Sequence, residues 1–147
     1  MDPFSIAGLG IGAAGLGIGG LDAVVKLGRG LRNLQQTFSG ALEHVDSIAQ
    51  QTRTIELAIE GIRSTLENCH DAFPQSFELH LTEYTGAIER IVAQLQGHVE
   101  LVQLESAKSL KRGKAVHTLN AKRVAEWRND LNSQAVALNV LLSVARL

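Results

Sequence analysis

Apolar residues recur at intervals of three and four along nearly the whole chain from Val24 to Ala145, a spacing that lines one face of a helix and suits no strand. A first row runs Val24, Leu27, Leu31, Leu34 and Phe38, interrupted by Gly28 and Gly30. A second runs Leu42, Val45, Ile48, Ile55, Ile59, Ile62, Leu66 and Cys69, with a single interval of seven. A third runs Phe77, Leu81, Tyr84, Ile88, Ile91, Leu95, Val99 and Val102, and a fourth Val116, Val124, Trp127, Leu131, Ala135, Leu138, Leu142 and Ala145. Ser39-Gly40, Phe73-Pro74 and Gly113 separate the rows, and each is a poor place to continue a helix. The spacing predicts long helices near 41–70, 76–104 and 114–145 and a shorter one near 22–37. No run alternates with period two, so the expected fold is all-α. Rows of this kind must bury against one another, and an antiparallel four-helix-type bundle is the simplest way to do so.

The first residues obey a different rule. Between Asp2 and Asp22 lie nineteen residues without a charge, and seven of them are glycine. Each interior glycine costs about 0.5–1 kcal/mol against alanine, so the stretch is a weak autonomous helix in water. As a helix it would still approach the ~30 Å of a bilayer core. Gly8, Gly12, Gly15 and Gly19 fall on one face at threes and fours, where small residues permit close helix–helix approach in lipid. Phe4, Ile6, Leu9, Ile11, Leu16 and Ile18 supply the greasy remainder and are the candidate membrane-inserting residues. The chain thus divides into an apolar glycine-rich helical segment over 1–21 and a bundle over 22–147, together one domain. Asp2 precedes the apolar run where a secretory signal would carry Lys or Arg.

Charge is placed unevenly. Residues 1–104 carry six Lys/Arg against twelve Asp/Glu, whereas 105–128 carry seven against two. Lys108, Lys111, Arg112 and Lys114 in that basic stretch are candidate contacts for anionic lipid. The net charge of −1 gives no general case for nucleic acid.

Several patterns mimic chemistry. Gly10-Ile11-Gly12-Ala13-Ala14-Gly15 matches the dinucleotide fingerprint, but no strand–helix–strand unit surrounds it and residue 35 is Gln where an acid would be needed. The five histidines form neither HxxxH nor HExxH, and Cys69 is the sole cysteine, so no metal ligand set and no internal disulfide is expected. Cys69 continues an apolar row, and its neighbour His70 points about 100° away around the helix. Trp127 falls in register with Val124 and Leu131, which makes Trp127 and Leu131 the expected core anchors. Neither a catalytic centre nor a bound cofactor is expected.

The opening Met1-Asp2-Pro3-Phe4-Ser5-Ile6-Ala7 with its Gly/Leu/Ile repeats resembles the start of fungal HeLo-like domains. The block Lys122-Arg123-Val124-Ala125-Glu126-Trp127, followed by Leu131, Leu138, Leu141 and Leu142, is similar to the basic-plus-Trp stretch and leucine-rich last helix of that family. HeLo-like domains stand at the N-terminus of NLR-like (STAND) receptors and of proteins of regulated cell death and heterokaryon incompatibility. The resemblance implies a membrane-targeting domain that forms pores or disrupts the bilayer, cytoplasmic at rest and at the plasma membrane on activation. It implies self-association on activation, an NLR-like receptor or another cell-death protein as partner, anionic lipid as target, and a role in innate immunity. A soluble N-terminal oligomerisation or adaptor domain of a signalling NTPase is the alternative. Residues 8–20 depart from the family pattern in their glycine content.

Overall fold

The structure, a computed structural model, describes residues 21–68 and 75–146. Five helices account for almost all of them: α1 (Leu21–Thr37), α2 (Val45–Asn68), α3 (Gln75–Lys108), α4 (Leu110–Leu119) and α5 (Ala121–Ala145). Among the described residues no strand occurs, and the chain is an all-α bundle. The expected 1–21 segment, with Phe4 through Gly19, lies outside the described residues except for Leu21, which opens α1.

The apolar rows account for the core. Val24, Leu27, Leu31 and Leu34 of α1, Ile48, Ile55, Ile59 and Ile62 of α2, Leu81, Ile88, Leu95 and Val99 of α3, and Val124, Leu131 and Leu138 of α5 form one buried cluster. The interval of seven in the second row is filled by Thr52, which is 1% exposed. Its hydroxyl donates to the Ala49 carbonyl at 2.6 Å, so a polar residue sits in the core without an unpaired group. Gly28 of α1 lies against it, where an added Cβ would stand 3.1 Å from Thr52 Oγ1.

Helix directions follow from paired residues. Gly28 faces Thr52 and Gln35 donates to Asp46, so α1 and α2 run in opposite directions. Lys26 meets Glu100 and Gln103 donates to Asn33, so α1 and α3 run the same way. Arg128 reaches His44 and Leu142 covers Gly61, so α2 and α5 also run the same way. Successive long helices therefore alternate in direction. In space α1 packs on α2 and α3, and α5 packs on α2 and α3, which leaves α2 and α3 on a diagonal of the bundle.

Several boundaries differ from the sequence reading. The second helix begins at Val45, not near 41, because Ser39, Gly40 and His44 adopt left-handed backbone with φ of 52°, 76° and 70°. The expected hinge at Gly113 is instead inside α4. The break falls at Ser109, whose side chain accepts from the Arg112 amide at 3.2 Å and caps α4. A second break at Asn120 divides the expected 114–145 helix into α4 and α5. Gly113 serves close approach: a Cβ there would run into Ser106 Oγ and lie 3.0 Å from the Phe38 ring.

Candidate functional site: the α4 end of the bundle

The basic residues singled out from the sequence gather on α4 and at the last residue of α3. Lys108, Lys111, Arg112 and Lys114 are all exposed. Glu105 takes Lys108 at 3.0 Å and Arg112 at 3.3 Å. The Lys108 hydrogen bond is the main reason the Glu105 carboxyl is held below its usual range; the Lys108 and Arg112 charges act the same way, and partial desolvation opposes them. Lys111 and Lys114 make no ion pair or hydrogen bond among the described residues and leave two free positive charges on α4. Apolar groups accompany them: Leu110 is 55% and Leu119 84% exposed.

The inner face of α4 is unlike that of any other helix here. Its buried residues are Gly113 and His117, with Val116 half-buried beside them. His117 is 3% exposed, and its Nε2 lies 2.8 Å from the Glu43 carbonyl oxygen in the α1–α2 connector. Its Nδ1 lies 2.9 Å from Nε2 of His98, a buried residue of α3. These contacts fix the tautomers. A carbonyl only accepts, so His117 carries its proton on Nε2; neutral His117 then has a bare Nδ1, and His98 donates to it from Nε2. The relay runs His98 to His117 to Glu43 and ties α3, α4 and the connector together. Burial, with the neighbouring His117 charge second, lowers His98 to about 4, so His98 is neutral near pH 7.

Around the relay stand further polar groups. The Trp127 ring is tilted against His98 with centroids 5.8 Å apart, and its indole N–H donates to Gln94 Oε1 at 2.7 Å. Trp127 is half-buried, packed against the core and not within it, whereas Leu131 is fully buried. His44 lies 3.5 Å from the Glu43 carboxylate, and Arg128 donates to its Nδ1 at 3.0 Å. A cleft of about 410 Å³, lined by Gly97, His98, Leu101, Asn120, Arg123 and Trp127 with Gln94, opens beside the pair.

The structure thus brings the four basic residues and Trp127 to one end of the bundle. The histidine relay was not foreseen from the sequence. Spacing marks only the two positions as core-facing, since His98 lies three past Leu95 and four before Val102, and His117 four past Gly113. Among the described residues no helix is long and apolar enough to cross a membrane, and no three His, Cys, Asp or Glu side chains converge as metal ligands would. Comparison with protein-family models, with curated proteins and with solved structures finds no match for this chain.

Proposed function

We propose that this chain is a membrane-targeting domain that disrupts or permeabilises the bilayer in regulated cell death or incompatibility signalling, as a HeLo-like domain would. The carrying observation is the surface of α4, where the free Lys111 and Lys114 share a short exposed helix with Leu110 and Leu119. Basic groups beside exposed leucines suit the interface of an acidic membrane, where each lysine near the surface is worth about 1 kcal/mol. The uncharged stretch between Asp2 and Asp22 supplies the insertion step in this reading, with Phe4, Ile6, Leu9, Ile11, Leu16 and Ile18 as its apolar surface. An NLR-like receptor would deliver the domain, and copies of it would assemble at the plasma membrane. Vesicles of acidic lipid test the reading. The full chain should bind them and release their dye, binding should fade as salt rises, and a chain starting at Asp22 should bind without leakage. Intact vesicles with the full chain, under conditions in which it self-associates, would sink the proposal.

A second reading has its own observation. Val136, Val140 and Val144 line α5 at intervals of four, and each is more than half exposed. That ridge suits protein docking, as in an oligomerisation or adaptor domain of a signalling NTPase. It prevails if Val140→Asp abolishes self-association while vesicles are ignored by both forms.

A further inference from the structure

Groups that titrate help tie α4 to the bundle. Gly113 and the half-buried Val116 add little apolar surface; Arg112 pairs with Glu105 of α3 on the outer side, and on the buried face the tie is the relay from His98 through His117 to the Glu43 carbonyl. That relay tolerates a limited number of protons. With none added, each link has one donor and one acceptor. With one added, the pair can keep its link, as an imidazolium facing an imidazole. With two, both facing nitrogens carry protons and the 2.9 Å link becomes a repulsion.

The surroundings offer an added charge no compensation. From α4 the only titratable group facing His98 is His117. From α5 come two cations: Arg123 lines the cleft beside His98, and Arg128 reaches His44. From the connector come the Glu43 carbonyl and the exposed Glu43 carboxylate, the latter engaged with His44. From α3 itself, Gln94 and Leu101 border the same cleft. Among the described residues no carboxylate is hydrogen-bonded or ion-paired to either ring. Burial disfavours a protonated His98, while the cleft beside it lets solvent protons reach the ring.

We propose that His98 and His117 form a proton-operated latch: when the pair takes up protons, α4 detaches from the end of the bundle while the four long helices stay packed. Detachment frees both faces of a helix whose outer side carries Lys111 and Lys114, and it is the regulated step of membrane engagement if the membrane reading holds; the latch itself does not depend on that reading.

Hydrogen exchange followed by mass spectrometry on the full chain tests the latch, with each amide corrected for its intrinsic rate. Between about pH 7 and about pH 4, amides of 110–119 should lose protection at least about tenfold before those of α1 and α2 change. The variant His98→Gln/His117→Gln retains a donor at 98 and a donor–acceptor amide at 117, and does not titrate. Its α4 protection should stay level across the same range. Loss of α4 protection in step with α1 and α2, or the same acid loss in the double variant, overturns the proposal. Should the double variant fail to fold, the order of opening in the wild-type chain decides alone: α4 first supports the latch, and simultaneous opening refutes it. Acidic vesicles added to the same samples separate the two readings. α4 opening without vesicle binding supports the latch and removes the membrane role.

Discussion

α1 and α4 both lie against α3, yet they are held by opposite means. α1 buries Leu21, Val24, Leu27, Leu31 and Leu34, aliphatic side chains with no proton to gain or lose. α4 buries a glycine and a histidine. The first seam depends on area removed from water, worth about 25 cal/mol per Å², and is indifferent to pH. On its buried face the second depends on two hydrogen bonds, and a proton can disrupt the one between the imidazoles. One end of the bundle is therefore conditional while the remainder is not.

The largest expected effect strikes the unconditional part. Leu131→Ala removes a fully buried side chain from α5 and should cost about 2–5 kcal/mol in denaturant unfolding. A cost below about 1 kcal/mol would show that the long helices are not the stable element assumed here.

Acid should reveal the conditional part. His98 is lowered from 6.5 to about 4, so the unfolded chain binds the proton first as pH falls. Its contribution is complete above pH 6.5, declines as pH drops toward about 4, and amounts to roughly 3 kcal/mol at most. Unfolding free energies of the wild type and His98→Gln, compared across that window, should converge as pH falls. Parallel curves would mean that His98 does not titrate as a buried group.

Gly113→Ala tests the fit of α4 without touching a proton. The new Cβ meets Ser106 and the Phe38 ring, so a net loss of about 1 kcal/mol is expected, because helix propensity offsets part of the overpacking. Exchange should rise in 110–119 first. Smallest is Ser109→Ala, which deletes the cap on the Arg112 amide and should cost about 0.5–1 kcal/mol, again confined to α4. If either change loosened α1 as much as α4, the two helices would belong to one cooperative unit and the contrast between them would collapse.

Much of the fold was legible in the sequence because aliphatic spacing of three and four reports burial directly. Leu27, Ile55, Ile88, Leu131 and Leu138 are core residues on that criterion alone, and all are buried. The rule fails where burial is not apolar. Thr52 and His98 occupy core positions that a hydrophobic count passes over. Gly113 reads as a hinge because glycine favours turns, yet it is needed for its lack of a side chain against Ser106. The break at Ser109 was marked by a capping residue in a stretch dominated by charge. The pairing of His98 with His117 joins residues nineteen apart on separate helices, and no local period can announce it.

The directions of the helices carry a consequence for how such a domain could sit on a surface. α2 and α5 end at the pole opposite the one where α4 and the α1–α2 connector meet, and α1 begins part-way along α2. At 17 residues, α1 sets Leu21 about 25 Å from the connector, close to the thickness of a bilayer core. A bundle standing upright on α4 would hold Leu21, and the tether to everything before it, that far above the lipid. For α4 and the stretch ahead of Leu21 to touch the same leaflet with the least reach, the bundle must recline with its long axis in the membrane plane.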